Sequence, residues 1–272
     1  MVLEYPIGVS GTLTRVLETG AGSSTAVFLH GLGARADRWR RNLEAIADAG
    51  YRCLALDLPG HGFASKTPDF DYSVPGFADF VLAILKALEV DRFHLIGTSL
   101  GGHVSGWIAA HHPGQVASLA MVGTLGLVPI GREAGAAIRD SVRATGRADI
   151  ENKLKFVLHD PAEVTSGWIE EEYRINNSPG ADGAFERLGD YIAEEVDQHN
   201  VGEKLAGLKE RPPIMLVWGR QDGAVPPSVG EKGRALLGDV PLLMIDPAGH
   251  APYFEQPGQF NGPVIDFLQQ AG

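Results

Sequence analysis

Residues Arg92-Phe93-His94-Leu95-Ile96-Gly97-Thr98-Ser99-Leu100-Gly101-Gly102 decide how this chain is read. An apolar, strand-like run ends in Gly-x-Ser-x-Gly, and Leu100 to Ala110 then reads as a helix. On a sharp strand-to-helix turn a serine projects its Oγ from the protein, which makes it available as a nucleophile. Such a turn has no room for bulk two residues to either side, and Gly97 and Gly101 stand there. Gly102 lets the following helix lie close to the sheet. The turn also presents backbone N–H groups at a helix N-terminus, where developing negative charge is stabilised. In a chain with 35 glycines the bland alternative is a glycine-rich turn with a capping serine. The pentapeptide occurs once, between a strand-like run and a helix, which favours the nucleophile.

Working outward, strand-like runs alternate with helical stretches. Val2 to Val9 and Leu13 to Leu17 read as strands joined at Ser10-Gly11, followed by Ala26 to Leu29, Tyr51 to Leu56 and Val116 to Val122. Helices are expected over Arg38 to Ala47 and Tyr72 to Leu88, the latter with Phe77, Phe80, Val81, Ile84, Leu85 and Leu88 on one face. The strands are continuous apolar runs, the mark of a parallel sheet covered on both faces. Ligands bind such sheets at the carboxyl ends of the strands. From Pro129 to His199 the pattern breaks into charged, helical sequence, with helices expected near Glu133 to Arg143, Ile150 to Leu158 and Ala162 to Ile175. The α/β pattern resumes with a strand Pro213 to Trp218, a helix Ser228 to Leu237, a strand Leu242 to Ile245 and a helix Phe260 to Leu268. The expected organisation is a core from residues 1–128 and 201–272, with residues 129–200 inserted over it as a helical cap.

The 272 residues are 44% hydrophobic, enough for one sizeable core. A formal charge of −11 opposes a nucleic-acid or anionic-membrane surface, both of which call for a basic patch. No run of about 18 apolar residues suggests a membrane span, and the first residues lack the pattern of a signal peptide. The one cysteine, Cys53, lies mid-strand and reads as a buried apolar residue. A cytoplasmic protein acting on a small molecule is expected. No H-E-x-x-H or clustered Cys/His set is present, so neither metal nor cofactor is expected.

A serine nucleophile needs a base, and the base an orienting acid. Of the nine histidines only His250, in Pro247-Ala248-Gly249-His250, follows the last strand. His30 and His61 read as braces of their loops, His94 and His103 as packing, and His111 and His112 as a helix end. His159 and His199 fall in or beside the cap. The acid is expected to be Asp222, just past the strand ending at Trp218, with Asp57 and Asp246 as rivals. Two backbone donors for an oxyanion are expected at the N–H of Leu100 and, from His30-Gly31-Leu32-Gly33, that of Leu32. Trp39, Trp107, Trp168 and Phe63 suggest an apolar pocket, or else core packing.

With these residues in view the chain resembles the α/β-hydrolase fold enzymes. The matching segments are H-G-L-G at His30, D-L-P-G-H-G at Asp57, G-T-S-L-G-G at Gly97, W-G-R-Q-D-G-A-V-P-P at Trp218 and A-G-H-A-P-Y-F-E-Q-P at Ala248. The chain order Ser99, Asp222, His250 is the order of that superfamily. The resemblance implies a mostly parallel, eight-stranded sheet with helices on both faces. Serine at position 99 disfavours the branches that use an aspartate nucleophile. The C-terminal segment is similar to hydrolases that cleave carbon–carbon bonds in vinylogous diketones, and that likeness makes Arg174 a candidate for binding a substrate carboxylate. The alternative for Arg174 is a surface salt bridge with Glu170 or Glu171. Three functions are therefore weighed: a small-ester serine hydrolase, a carbon–carbon bond hydrolase, and a non-catalytic receptor on the same scaffold.

Overall fold

The computed structural model describes residues 1–271. Eight strands form one sheet: β1 (Leu3–Val9), β2 (Thr12–Thr19), β3 (Ser24–Leu29), β4 (Tyr51–Leu56), β5 (Phe93–Thr98), β6 (Val116–Val122), β7 (Ile214–Gly219) and β8 (Leu242–Ile245). Their spatial order is β1-β2-β4-β3-β5-β6-β7-β8. β1 and β2 pair antiparallel, as do β2 and β4, and every other pairing is parallel. Eleven α-helices accompany them among the described residues: α1 (Arg40–Asp48), α2 (Val74–Ala87), α3 (Leu100–His111), α4 (Arg132–Arg143), α5 (Arg147–Val157), α6 (Ser166–Asn176), α7 (Ala181–Glu194), α8 (Gly202–Gly207), α9 (Pro227–Leu236), α10 (Pro252–Glu255) and α11 (Pro257–Gln270).

The continuous apolar strands have the reason the sequence suggests. Alternate residues of each strand enter two separate cores, one on either face. Val27, Leu29, Leu54 and Leu95 pack with α2 and α3, whereas Ala26, Phe28, Ala55 and Ile96 pack with α1 and α11. Register then fixes where the motifs meet. Leu29 lies opposite both Leu56 and Gly97, Thr98 opposite Val122, Val122 opposite Val217, and Gly219 opposite Ile245. The carboxyl ends of β3 to β8 thus share one edge. The chain runs from β3 outward to β4 and returns to add β5 on the other side of β3, so the crevice of the topological switch lies between the loops after β3 and β5.

Between β6 and β7 lie α4 to α7, the shorter α8 and no strand among the described residues. Two expectations for this segment need correction. The helix expected over Ala162 to Ile175 is broken: a 3-10 turn at Pro161–Glu163 precedes α6. Asp160 caps the turn by accepting from the Ala162 N–H at 2.9 Å, and Thr165 caps α6 by accepting from the Trp168 N–H at 3.2 Å. The second difference is helix α7, which lies beyond the three helices expected in this segment. It buries Ala181, Ala184, Phe185, Leu188, Tyr191 and Ile192, a helical spacing visible in the sequence but masked by Pro179-Gly180 and two internal glycines. No helix among the described residues is long and apolar enough to cross a membrane.

Candidate active site

Ser99 sits where β5 turns into α3, at φ 53° and ψ −118°. This strained backbone is held by the Ser99 N–H donating to Val122 O at 3.0 Å and by the His103 N–H donating to Ser99 O at 3.0 Å. The flanking glycines are required by close approach: a Cβ on Gly97 would lie 2.2 Å from Gly101 O, and one on Gly101 2.4 Å from Leu29 O. The loop after β3 presses on the same residue. A Cβ on Gly31 would lie 2.9 Å from Ser99 Cβ. Neither the Leu32 nor the Leu100 N–H donates to a protein acceptor among the described residues.

His250 and Asp222 come together from the loops after β8 and β7. His250 Nδ1 lies 2.8 Å from Asp222 Oδ2. The other carboxylate oxygen, Oδ1, accepts from the backbone N–H of Ala224 and of Val225, each at 2.9 Å. Asp222 is buried and its orientation is fixed by three donors. Gly123, at the end of β6, leaves the space the pair occupies: a Cβ there would stand 3.0 Å from Asp222 Oδ2 and 3.1 Å from His250 Nδ1. Glu255 supports the histidine loop. It accepts from the Gly249 N–H at 2.8 Å and the His159 N–H at 2.6 Å, while the His250 N–H donates to Val157 O at 2.7 Å. Burial pushes the Glu255 carboxyl above its ordinary pKa, opposed by the N–H groups it accepts from.

The rival acids lie elsewhere. Asp57 is buried beneath the loops after β3 and β4, accepting from Arg15 Nε at 3.0 Å, the Ala36 N–H at 2.7 Å and the Phe63 N–H at 2.9 Å. Asp246 is half exposed and pairs with Arg220 at 2.9 Å. Four of the other histidines are structural. His30 bridges two loops, its Nδ1 2.8 Å from Gly31 O and its Nε2 accepting from the Leu58 N–H at 2.9 Å. His61 Nδ1 meets Pro59 O, His94 Nδ1 meets Ser118 Oγ, and His103 Nε2 meets the His199 carbonyl. Burial pulls all four down, His30, His94 and His103 to about 4 and His61 to about 3. Cys53 is buried mid-strand, its thiol pushed up to about 12.

Ser99, His250, Gly31 and Leu32 open onto one cavity of about 430 Å³. The wall supplied by α4 to α7 is largely apolar, through Ala137, Ile138, Ile150, Leu154, Val157 and Phe185 among others. Of the aromatic residues considered for a pocket, only Trp168 lines it. Trp39 is core, stacked on Tyr253 with ring centroids 4.0 Å apart, Trp107 stacks on His111, and Phe63 is exposed under Arg15.

Arg174 is not brought to the cavity. Its side chain is 77% exposed and pairs with Glu170 at 2.8 Å, one turn away on the outer face of α6. This corrects the expectation of a carboxylate-binding role there. The cations in the cavity wall are Arg38 and Lys153. Arg38 pairs with Glu172, and Lys153 Nζ donates to the carbonyls of Ser141 and Ala144 at the end of α4. Sequence reading missed Arg38, because nothing local distinguishes it from its neighbours Arg35, Arg40 and Arg41. No cluster of three or more His, Cys, Asp or Glu side chains suited to a metal ion occurs among the described residues.

A mostly parallel sheet flanked by helices, with a serine at a strand-to-helix elbow and a His–Asp pair on the neighbouring loops, defines an α/β hydrolase. Residues 27–257 match the family model of the alpha/beta hydrolase fold, and the chain belongs to that family. It is 32% identical over 268 residues to the dihydrolipoyllysine-residue acetyltransferase component of an acetoin cleaving system from Pseudomonas putida, covering 96% of this chain and 68% of that protein. It is 27% identical over 260 residues to a 2-hydroxy-6-oxononadienedioate/2-hydroxy-6-oxononatrienedioate hydrolase from Cupriavidus pinatubonensis, covering 92% of this chain and 89% of the relative. Among solved structures, a membrane phospholipase A described as a bacterial virulence factor superposes with a TM-score of 0.83 at 28% identity, covering 99% of this chain and 86% of that one. A meta-cleavage product hydrolase from Pseudomonas fluorescens shares the fold, with a TM-score of 0.86 at 23% identity and 98% of each chain covered.

Proposed function

We propose that this chain is a serine hydrolase cleaving a small carboxylic ester through an acyl-enzyme on Ser99, with residues 129–200 acting as a cap over the site. His250 Nε2 takes the Ser99 hydroxyl proton as Oγ attacks the acyl carbon. Asp222 holds Nδ1–H, fixes the tautomer and stabilises the imidazolium. The Leu32 and Leu100 N–H groups stabilise the oxyanion. The alkoxide then leaves with the proton from His250. Water, deprotonated by the same ring, releases the acid and restores Ser99. The observation that carries this reading is the His250–Asp222 pair at 2.8 Å, with His250 on the wall of the apolar cavity that Ser99 also lines. The largely apolar wall suits an apolar acyl or alcohol group. The buried thiol of Cys53 is compatible with a reducing, cytoplasmic setting.

The test is turnover of p-nitrophenyl acetate and butyrate by the protein and by Ser99→Ala. Equal rates would remove the proposal. A second reading, carbon–carbon bond hydrolysis of a vinylogous diketone acid, is favoured by the likeness to 2-hydroxy-6-oxononadienedioate/2-hydroxy-6-oxononatrienedioate hydrolases, at 27% and 29% identity over 89% and 90% of their length. On that reading the substrate carboxylate would meet Arg38 or Lys153, and a dienoate would outperform simple esters. A receptor role would leave Ser99 unlabelled by a fluorophosphonate probe.

A further inference from the structure

Across the seam between cap and core, arginines of the core face carboxylates of the cap. The core supplies Arg35, Arg38 and Arg41, spaced three apart around the 3-10 turn Ala36–Trp39 and the start of α1. The cap supplies Glu163 from its own 3-10 turn, and Glu171 and Glu172 from α6. Arg41 Nη1 lies 3.1 Å from Glu163 Oε2, Arg35 Nη2 2.6 Å from Glu171 Oε2, and Arg35 Nη1 2.5 Å from Glu172 Oε1. Arg38 pairs with that same Glu172 oxygen. Trp168 Nε1 donates to it at 3.2 Å, and the Trp168 ring lies 3.9 Å from the Arg38 guanidinium carbon. The pairs grade from wet to dry. The Arg41 and Glu163 side chains are 44% and 29% exposed, those of Arg35 and Glu172 only 5% and 3%.

The dry end of the seam adjoins the oxyanion loop. Arg35 directly follows Ala34, whose N–H donates to Gly31 O at 3.2 Å and closes the loop. The Arg38 N–H donates to Arg35 O at 3.1 Å, so the two arginines and the loop form one backbone unit. On the core side Asp37 holds Arg35 Nε at 2.8 Å, and on the cap side Glu171 and Glu172 hold its Nη2 and Nη1. Exposed ion pairs hold little, but a buried carboxylate shared by two guanidiniums and an indole N–H fixes the groups around it, since each would otherwise be left desolvated and unpaired.

We propose that Glu172 is a positioning residue: by holding Arg35 and Arg38 from the cap, it fixes the loop Gly31–Ala34 that presents the Leu32 N–H, so that the oxyanion site is complete only with the cap seated. The inference rests on Ser99 being the nucleophile and Leu32 a donor. It separates Glu172 from residues that only shape the pocket. Residues that only shape the pocket act on the long arm of a substrate, whereas Glu172, itself on the cavity wall, acts through the Leu32 N–H on the acyl oxygen of every substrate.

The experiment uses Glu172→Gln and the double variant Glu172→Gln/Arg38→Gln with p-nitrophenyl acetate, whose short acyl group needs little of the pocket. Hydrogen exchange is followed in residues 31–35 and 166–176. Glu172→Gln is expected to lower kcat by about 10- to 100-fold, with KM changed far less, because a misplaced donor costs transition-state rather than ground-state binding. Exchange should quicken in both segments together. The double variant, which no longer buries an uncompensated arginine, should recover thermal stability without recovering kcat, and it supplies the result if the single variant does not fold. The proposal is overturned if exchange quickens in 166–176 alone while acetate turnover holds, or if the double variant recovers kcat along with stability. An unmodified protein that neither turns over ester nor labels at Ser99 would instead defeat the nucleophile assignment, and coupled exchange between the two segments would still test the seam.

Discussion

Replacing Asp222 by asparagine separates the proposed orienting role from its rivals, and the structure fixes which way the new amide faces. In the native site Oδ2 meets His250 Nδ1, and Oδ1 accepts from two backbone N–H groups. Asparagine has one oxygen and one NH₂. With the oxygen toward Ala224 and Val225, the NH₂ opposes Nδ1. The reverse orientation sets the NH₂ against two N–H donors, so the first wins. His250 must then accept at Nδ1 and carry its proton on Nε2, where it cannot take one from Ser99. A tautomer error of this kind costs about 10⁴ in kcat, or ~5.4 kcal/mol of transition-state stabilisation. Asp222 does not line the cavity, so KM for p-nitrophenyl butyrate should change little. Fluorophosphonate labelling of Ser99 should slow in parallel. Asp246→Asn, at a half-exposed surface pair, should leave kcat within about twofold. A loss of less than about tenfold in a folded Asp222→Asn protein would refute the assignment of the acid.

Across p-nitrophenyl esters, each added acyl methylene should raise kcat/KM about fourfold, at ~0.8 kcal/mol per buried CH₂, until the cavity is filled; a flat profile would place the acyl chain outside it. Stability should fall on mild acidification. Buried His30, His61, His94 and His103 stay neutral in the folded chain down to about 4 or below. The unfolded chain protonates them from about 6.5, so below that pH it binds more protons, and stability drops by up to ~1.4 kcal/mol per pH unit per group. The contribution is fully present above pH ~6.5 and is lost as pH falls toward the folded values; a urea midpoint unchanged between pH 7 and 5 would contradict it. Gly31→Ala puts a Cβ 2.9 Å from Ser99 Cβ and should lower kcat by about 10- to 100-fold through displacement of the loop, with KM less affected; full activity in a crystal-verified variant would show that the loop yields freely.

Much of the fold was legible because the signals are local. Residues buried on both sides of a parallel sheet must be apolar at every position, so β3, β5, β6 and β7 stand out as continuous runs. Ser99 stood out because its turn excludes any Cβ at Gly97 and Gly101. Asp222 and His250 were found from their places after the last strands, which the shared sheet edge brings together. The helical segment was harder to read. Its helices α4 to α7 pack on one another and roof a cavity, so their apolar faces are split between two duties and their glycines interrupt the spacing.

The sequence by itself determined the order of the strands, the elbow serine, and the histidine and aspartate on neighbouring loops, since each depends on residues close along the chain. Only the tertiary structure decided which charges meet. It turned Arg174 outward to Glu170 and buried Glu172 against Arg35 and Arg38, 137 and 134 residues away. Adjacent positions on a charged helix look alike in sequence, and what distinguishes them is the face that packing happens to remove from water.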